Sequence, residues 1–298
     1  MDQLLAIRAF AHVVETGNFT RAADSLEMPK ATVSKLVQTL EAHLGVQLLS
    51  RTTRRVAVTP DGAAYYDQTA RVIKELEDID AGFTAARARP RGLLKVNVGS
   101  SVASQIVLPA LPGFLERFPE IRIDFGVSDR DVDLIGDNVD CVIRGNAVTD
   151  TALIARVVGH ARWVTCAAPA YVARFDAPKH PRALETDHRL VHYQSARTGR
   201  VLPMRFLDRG RSIEIDARRV LGVNESNAHF AAGLAGVGVV QTFAFLAEPA
   251  IARGELVPLL TRFAPRPYAF HLAYPPNRHV SHRLRVFIDW IVELFRAA

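Results

Sequence analysis

The 298-residue sequence predicts an α+β multi-domain chain: a mainly α N-terminal head, one long helix, and a C-terminal two-lobed α/β body. Three observations predict it. Residues 1 to 60 carry apolar groups at helical spacing, punctuated by Gly17 and Gly45. Residues 60 to 87 hold no helix breaker except Gly62 and Gly82 near the ends. From Leu93 onward, short β-branched runs alternate with amphipathic segments. The length suits two or three domains, and 49% apolar residues can fill sizeable cores.

The totals exclude several classes. The opening MDQLLAIRAFAHVVETG has no basic flank ahead of its apolar part. Leu4, Leu5, Phe10, Val13 and Val14 are periodic, not continuous, which argues against a signal peptide. No run nears the length of a membrane-spanning helix, so a soluble, cytoplasmic protein without a membrane partner is expected. Two cysteines, Cys141 and Cys166, make neither a disulfide framework nor a thiolate metal site. His279 and His282, three apart with no further ligands, read as surface residues opening a helix, so no metal and no cofactor are expected. The net charge is +6, yet residues 1 to 91 carry twelve Lys/Arg against eleven Asp/Glu. Any affinity for nucleic acid must therefore come from local arrangement, not bulk charge.

In the head, a first helix is expected from about Asp2 to Glu15, stopping at Gly17. A second starts with Thr20 as N-cap and puts Ala22, Ala23 and Leu26 inside. Only Glu27 to Pro29 separate it from a third, which opens on Pro29 and ends near Leu44. Val33, Leu36, Val37 and Leu40 form that helix's inner face, and Met28 helps close the core. Its other face carries Lys30, Thr32, Ser34, Lys35 and Gln38, with no carboxylate until Glu41. A helix pressed against phosphates and base edges would be built this way, because carboxylates there would be repelled. The arrangement is a helix-turn-helix, whose second helix enters the major groove by its N-terminal part. Thr32, Ser34, Lys35 and Gln38 are candidates for base or phosphate contact, and Lys30 for phosphate; Thr20 joins them at the DNA-facing surface. SRTTRRVAVTP, residues 50 to 60, then offers Arg51, Thr52, Thr53, Arg54 and Arg55 ahead of alternating Val56 and Val58. This suits a short hairpin wing that contacts a minor groove or backbone, which makes the head a winged helix-turn-helix.

The stretch FTRAADSLEMPKATVSKLVQTLEAHLGVQLLSRTTRRVAVTPDG resembles the LysR-type transcriptional regulators. The resemblance lies in FT-x-AA at Phe19 to Ala23, VS-x-x-V-x-x-LE-x-x-LGV at Val33 to Val46, Leu48, Arg51, and TP-x-G at Thr59 to Gly62. The chain departs from the pattern with Leu49, where Phe is common, and with Thr53, where Gly is frequent.

Thr59-Pro60 is a helix start, N-cap then Pro in the first turn. Tyr65, Thr69, Val72, Leu76, Ile79 and Phe83 alternate at spacings of four and three, the seam of a two-stranded coiled coil. About 28 residues of helix span about 40 Å, a spacer for two recognition helices on two half-sites. ARARPRG, residues 86 to 92, is the hinge. The expected domains are therefore 1–59, DNA-binding; 60–88, a dimerisation helix; and 89–298, an effector-binding body. Lobe I takes about 92–162 and 269–298, and lobe II about 163–268.

In the body, strands are expected at LLKVNVGS, IRIDFGVS, VDCVIRG, RWVTCAAP, RLVHYQS, RRVLGVN, GVGVVQT and YAFHLAYPP. Helices are expected at IVLPALPGFLERFP, SNAHFAAGLAG and from about Ser281 to Phe295. The alternation implies parallel, doubly wound sheets in two lobes. This too resembles the family, whose effector domain looks like a periplasmic solute-binding protein. Ligands of open α/β sheets sit at strand carboxyl ends, against helix N-termini. Ser100 and Ser101 fit that place in the first lobe, and Asn224, Ser226 and Asn227 in the second. Arg144 is a counter-charge for an organic anion; Val127, Ser128, Trp163, Thr165, Tyr193, Gln241 and Phe243 line the same cleft. The serines also read as plain helix caps.

The resemblance implies a small-molecule effector and double-stranded promoter DNA as partners. It also implies a homodimer through the linker helices, paired again into a homotetramer, with RNA polymerase as a further partner. No catalytic residues are expected: no phosphate loop, G-x-S-x-G elbow or HExxH occurs. The alternative is a solute-binding or enzymatic α/β protein with an incidental helical head, which would tolerate loss of residues 1 to 60.

Overall fold

In the computed structural model the chain divides into two compact units, Met1–Ala88 and Arg89–Ala298. The structure describes all residues except 52–55, 85–88, 131, 135, 146–151, 197, 218, 277–279 and 298; the side chains of 51, 71, 74, 75, 77–84, 219 and 297 are also outside the description.

The first unit opens with α1 (Gln3–Thr16), whose N-cap Asp2 accepts the Leu5 N–H at 3.0 Å and whose end is turned by Gly17 at φ 63°. In α2 (Phe19–Ser25) the cap is Asn18 and not Thr20. Asn18 Oδ1 accepts from Thr20 N at 2.7 Å, and the extended backbone at Asn18 puts Thr20 inside the first turn. Both residue types cap well, and the backbone bend at Gly17 decides between them. α3 (Lys30–Leu44) begins one residue later than expected, with the Pro29 carbonyl accepting from Thr32 and Val33. Glu27, at φ 52°, makes the turn between α2 and α3. The three helices close over Ala6, Ala9, Phe10, Val13, Ala22, Ala23, Val33, Val37 and Leu40, with Met28 and Leu36 packed at the edge. Small Ala22 and Ala23 let the helices approach.

The wing is β1 (Leu49–Arg51) paired antiparallel with β2 (Val56–Val58). Leu48 and Leu49 are both buried, so leucine fills its place in this core. α4 (Pro60–Thr84) starts as expected: Thr59 Oγ1 accepts from Gly62 N at 2.9 Å. The expected seam divides. Tyr65 packs into the head, its ring 6.0 Å from Phe10, and Tyr66 donates to Glu15 Oε1 at 3.1 Å. Further along, Val72 is 54% exposed. The first turns of α4 thus belong to the head's own core, and only the later part is left for a partner. The side chains of Ile79 and Phe83 lie outside the described residues.

The second unit opens with β3 (Gly92–Val98). A short α5 (Ser100–Val102) continues through a π-helical turn, Ala103–Val107, into α6 (Leu108–Arg117). Then come β4 (Ile121–Val127), β5 (Cys141–Gly145), β6 (Ile154–Ala161), β7 (Trp163–Ala167), α7 (Pro169–Phe175), β8 (Leu190–Tyr193), β9 (Met204–Asp208) and β10 (Arg211–Ile215). The unit ends with β11 (Arg219–Val223), α8 (Ser226–Leu234), β12 (Val240–Phe243), α9 (Ala244–Ala252), β13 (Val257–Leu259), β14 (Tyr268–Tyr274) and α10 (His282–Ala297).

The first lobe's sheet has the order β4-β3-β5-β14-β6. Its first three strands are parallel, but β14 runs antiparallel to both β5 and β6. The second lobe joins β12-β7-β13, all antiparallel, with the parallel pair β11-β8 next to them through the Leu190–Val239 bridge. The expected wholly parallel sheets are thus mixed. A strand that returns after an excursion through the other lobe arrives without a crossover helix, so nothing imposes a parallel direction on it. α6 and α10 cover the first sheet through Phe114, Phe287 and Ile291, which pack on Leu94, Val96, Ile143 and Leu272.

Two buried histidines lie in the second lobe. His229 is 3% exposed and donates from Nε2 to the Val191 carbonyl at 3.0 Å. Burial, with His192 nearby, holds its imidazole below the usual 6.5. The unfolded chain therefore takes up the proton first as pH falls, and stability drops progressively below about 6.5 until the folded value is passed. A His229→Gln variant keeps a donor for Val191. Its melting temperature should fall less than that of the unaltered chain between about pH 7.5 and about 5.5, by calorimetry. Parallel curves would mean that other groups set the acid sensitivity.

Candidate functional site

On the head, α3 presents Lys30, Thr32, Lys35 and Gln38 to solvent, with Ser34 half-buried. Thr20 is exposed beside Arg21, an exposed cation outside the expected set. No carboxylate interrupts α3 before Glu41. Glu41 is itself engaged: Oε1 accepts from Leu48 N at 2.9 Å and Leu49 N at 3.0 Å. It ties the start of the wing to α3. In the sequence, Glu41 marks only the end of a carboxylate-free run. Arg51 pairs with Val56 through its backbone; Thr52, Arg54 and Arg55 and the Arg51 side chain lie outside the described residues. Gly62 meets the Leu48 carbonyl so closely that a Cβ would have no room.

In the second unit, Ser100, Tyr193 and Ser226 converge on Asp129, a residue outside the expected set, with Ser101 and Asn227 alongside. Asp129 follows Ser128 after β4. Its Oδ1 accepts from Ser100 N at 2.8 Å. Its Oδ2 accepts from Ser226 N at 2.6 Å and from the Tyr193 hydroxyl at 3.1 Å. Ser101 N donates to Ser226 Oγ at 3.0 Å, and Ser104 Oγ to Asn227 Oδ1 at 3.2 Å. Burial first, then the charge of Asp129, raises the Tyr193 hydroxyl above the usual phenol range, so it remains a donor. Arg144 donates to the Asn97 side chain and, at 2.9 Å, to the Arg130 carbonyl. Ser226 is not the cap of α8: Glu225 is, accepting from Asn227 N at 2.9 Å and Ala228 N at 2.7 Å.

Four of the other expected lining residues, Trp163, Thr165, Gln241 and Phe243, form a second group on β7 and β12, and Val127, Ser128 and Asn224 stand apart from it. Gln241 Nε2 donates to Thr165 Oγ1 at 3.1 Å and to the Arg205 carbonyl at 2.8 Å. Trp163 stacks on Phe243 at 4.4 Å between centroids, with Tyr268 edge-on at 5.3 Å. Val127 is 47% exposed and Asn224 is exposed; Ser128 Oγ accepts from Arg130 N at 2.9 Å. Cys141 and Cys166 are fully buried, and burial pushes the Cys166 thiol up to about 12, far from a reactive thiolate. Among the described residues no three His, Cys, Asp or Glu side chains are grouped to hold a metal, and no helix is long and apolar enough to cross a membrane.

Residues 4–63 match the bacterial regulatory helix-turn-helix proteins of the lysR family, and residues 87–296 match the LysR substrate binding domain. The chain is 34% identical over 296 residues to YhjC, an HTH-type transcriptional regulator of Escherichia coli K12, covering 99% of each. An HTH-type transcriptional repressor of Pseudomonas aeruginosa is likewise 34% identical, over 302 residues covering 99% of this chain and 93% of the relative. Among solved structures, the LysR-type regulator CrgA of Neisseria meningitidis superposes with a TM-score of 0.63 at 30% identity, over 97% of both chains. The Vibrio cholerae virulence activator AphB shares the fold, with a TM-score of 0.61 at 23% identity over 97% of this chain and 98% of that one. None of these relatives supports the alternative of a solute-binding or enzymatic protein with an incidental head. The chain belongs to the LysR-type transcriptional regulators, with a helix-turn-helix head for DNA and a ligand-binding domain behind it.

Proposed function

We propose that α3 enters the major groove with Thr32, Ser34, Lys35 and Gln38 against base edges and phosphates, and with Lys30 and Thr20 on the backbone. Arg51, Thr52, Arg54 and Arg55 of the wing lie along the neighbouring phosphates or minor groove. The observation that carries this reading is the carboxylate-free exposed face of α3 beside a wing that Glu41 ties down. The later turns of α4 pair with those of a second copy, and two such dimers make a tetramer on promoter DNA, where RNA polymerase is the further partner. The body takes an organic anion between its lobes and catalyses nothing; the protein works in the cytoplasm. Effector binding shifts a population of assemblies, which requires tighter binding to one arrangement of the heads than to another.

The test is binding to a labelled fragment of the DNA upstream of its own gene, at several salt concentrations, against unlabelled random DNA, with and without a panel of organic acids. Binding that survives the competitor, falls steeply with salt and shifts with one of the acids is expected. Binding abolished by the competitor would sink the sequence-specific reading. Two substitutions separate the roles. Arg54→Ala should weaken binding to all sequences and lower the salt slope by about 1. Gln38→Ala should leave that slope alone and lose about 1–3 kcal/mol of discrimination at one base pair. An unchanged slope in Arg54→Ala would remove the wing from the interface.

A further inference from the structure

Within the cleft, the Asp129 carboxylate bridges the two lobes. Ser100 opens the helical segment of the first lobe and Ser226 opens α8 of the second. Each contributes the first amide of its helix, one of the donors that a helix leaves without an internal acceptor. Asp129 takes one with each oxygen, at 2.8 and 2.6 Å, and adds the Tyr193 hydroxyl at 3.1 Å. The two helix N-termini and the phenol are the donors that an anionic effector would use, because each favours negative charge. Arg144 steadies the arrangement from the first lobe: its bond to the Arg130 carbonyl fixes the backbone next to Asp129. Beside it in the cleft, the bonds Ser101 to Ser226 and Ser104 to Asn227 join neutral groups and are weaker, while Arg162 and Glu248 pair across the exposed junction of the lobes.

We propose that Asp129 is an internal ligand of the cleft: its carboxylate latches the lobes together, and an effector carboxylate must displace it to reach the same donors. The inference rests on the reading of the cleft as the effector site. It makes the closed arrangement self-sustained in the absence of effector. An incoming acid exchanges one carboxylate for another, and the loop that carries Asp129 is freed when it does. A latch formed nine-tenths of the time weakens a competing anion about tenfold.

The experiment uses the full chain, Asp129→Ala and Asp129→Asn, with benzoate as probe. Hydrogen exchange is followed by mass spectrometry in peptides containing Ser100 and Ser226. Without benzoate, both peptides should exchange about tenfold faster in Asp129→Ala than in the unaltered chain. Asp129→Asn keeps one acceptor oxygen and should release one peptide more than the other; it also serves if the alanine variant does not fold. Benzoate should restore protection in the variants at concentrations about tenfold below those that act on the unaltered chain. Equal exchange without benzoate overturns the latch. Faster exchange that benzoate does not reverse overturns the shared position. An organic acid that alters DNA binding equally with and without Asp129 also overturns the proposal while leaving the effector cleft standing. The opposite pattern, benzoate competition without any acid altering DNA binding, supports the latch and removes the effector reading instead.

Discussion

Gly62→Ala is expected to unfold the head selectively and abolish DNA binding. On helix propensity alone the exchange should stabilise, since Ala exceeds Gly by about 1 kcal/mol inside a helix. The packing reverses the sign. An added Cβ at Gly62 would overlap the Leu48 carbonyl oxygen and lie 2.9 Å from its carbon. That carbonyl cannot retreat, because it already accepts from Thr59 N at 3.0 Å and Thr59 Oγ1 at 3.1 Å, and the Leu48 side chain is fully buried. A clash of a new Cβ against backbone that is already held lies at or above the upper end of the usual overpacking cost of about 1–3 kcal/mol, a large share of the roughly 5–15 kcal/mol that holds a small domain. Calorimetry of the full chain should show the head's transition moved down by many degrees and that of residues 89–298 unmoved. A head as stable as the unaltered one would mean that α4 does not meet the wing as described. The TP-x-G pattern then has a cause at each position: Thr59 caps, Pro60 starts the helix, and Gly62 leaves room for the Leu48 carbonyl just ahead of the wing.

Local signals carried the head. Gly17 and Gly45 both adopt left-handed conformations and stop helices where the periodicity ends. Of the boundaries that shifted, Thr20 for Asn18 lies between two good capping residues, where sequence alone does not choose, and α3 starts one residue after the expected Pro29. In the body, strands with clear apolar runs were legible, but β6, β9, β10 and β13, with helices α7 and α9, were not. β6 exposes most of its side chains, so its run shows no clean alternation. The β9–β10 hairpin turns on Arg209 and Gly210, both at positive φ, and Arg gives no turn signal at such a position. The site shows the same division. Ser100 and Ser226 were legible as helix starts after strands. Asp129 was not, because it lies 29 residues from one partner and 97 from the other, and only the closed lobes bring the three together. Long-range convergence of this kind leaves no trace in spacing.

Glu41→Ala is the complementary result to expect: helices intact, wing released, and affinity for all DNA sequences lost together. A carboxylate is unwelcome on a face meant for phosphates, yet Glu41 sits in α3, the helix proposed to face DNA. Its oxygen is not offered to solvent; it accepts from Leu48 and Leu49, whose side chains are both buried in the head's core. Hydrogen bonds to a charged acceptor contribute about 1.5–3 kcal/mol each, and two buried amides left without one add their own desolvation cost. Since Glu41 is half-buried, the lower end applies, about 3 kcal/mol for the pair. Glu41→Gln retains one acceptor oxygen and should lose about half as much. The readouts are the far-ultraviolet helix signal, which should hold in both variants at low temperature, and the salt slope of DNA binding, which should fall as the wing's cations stop reaching phosphate. If Glu41→Ala binds DNA with an unchanged slope, the wing is held by its own hairpin and by Thr59, and the carboxylate would be a bystander. If the slope falls while the helices persist, the recognition helix and the wing work as one rigid reader because a single glutamate fastens them.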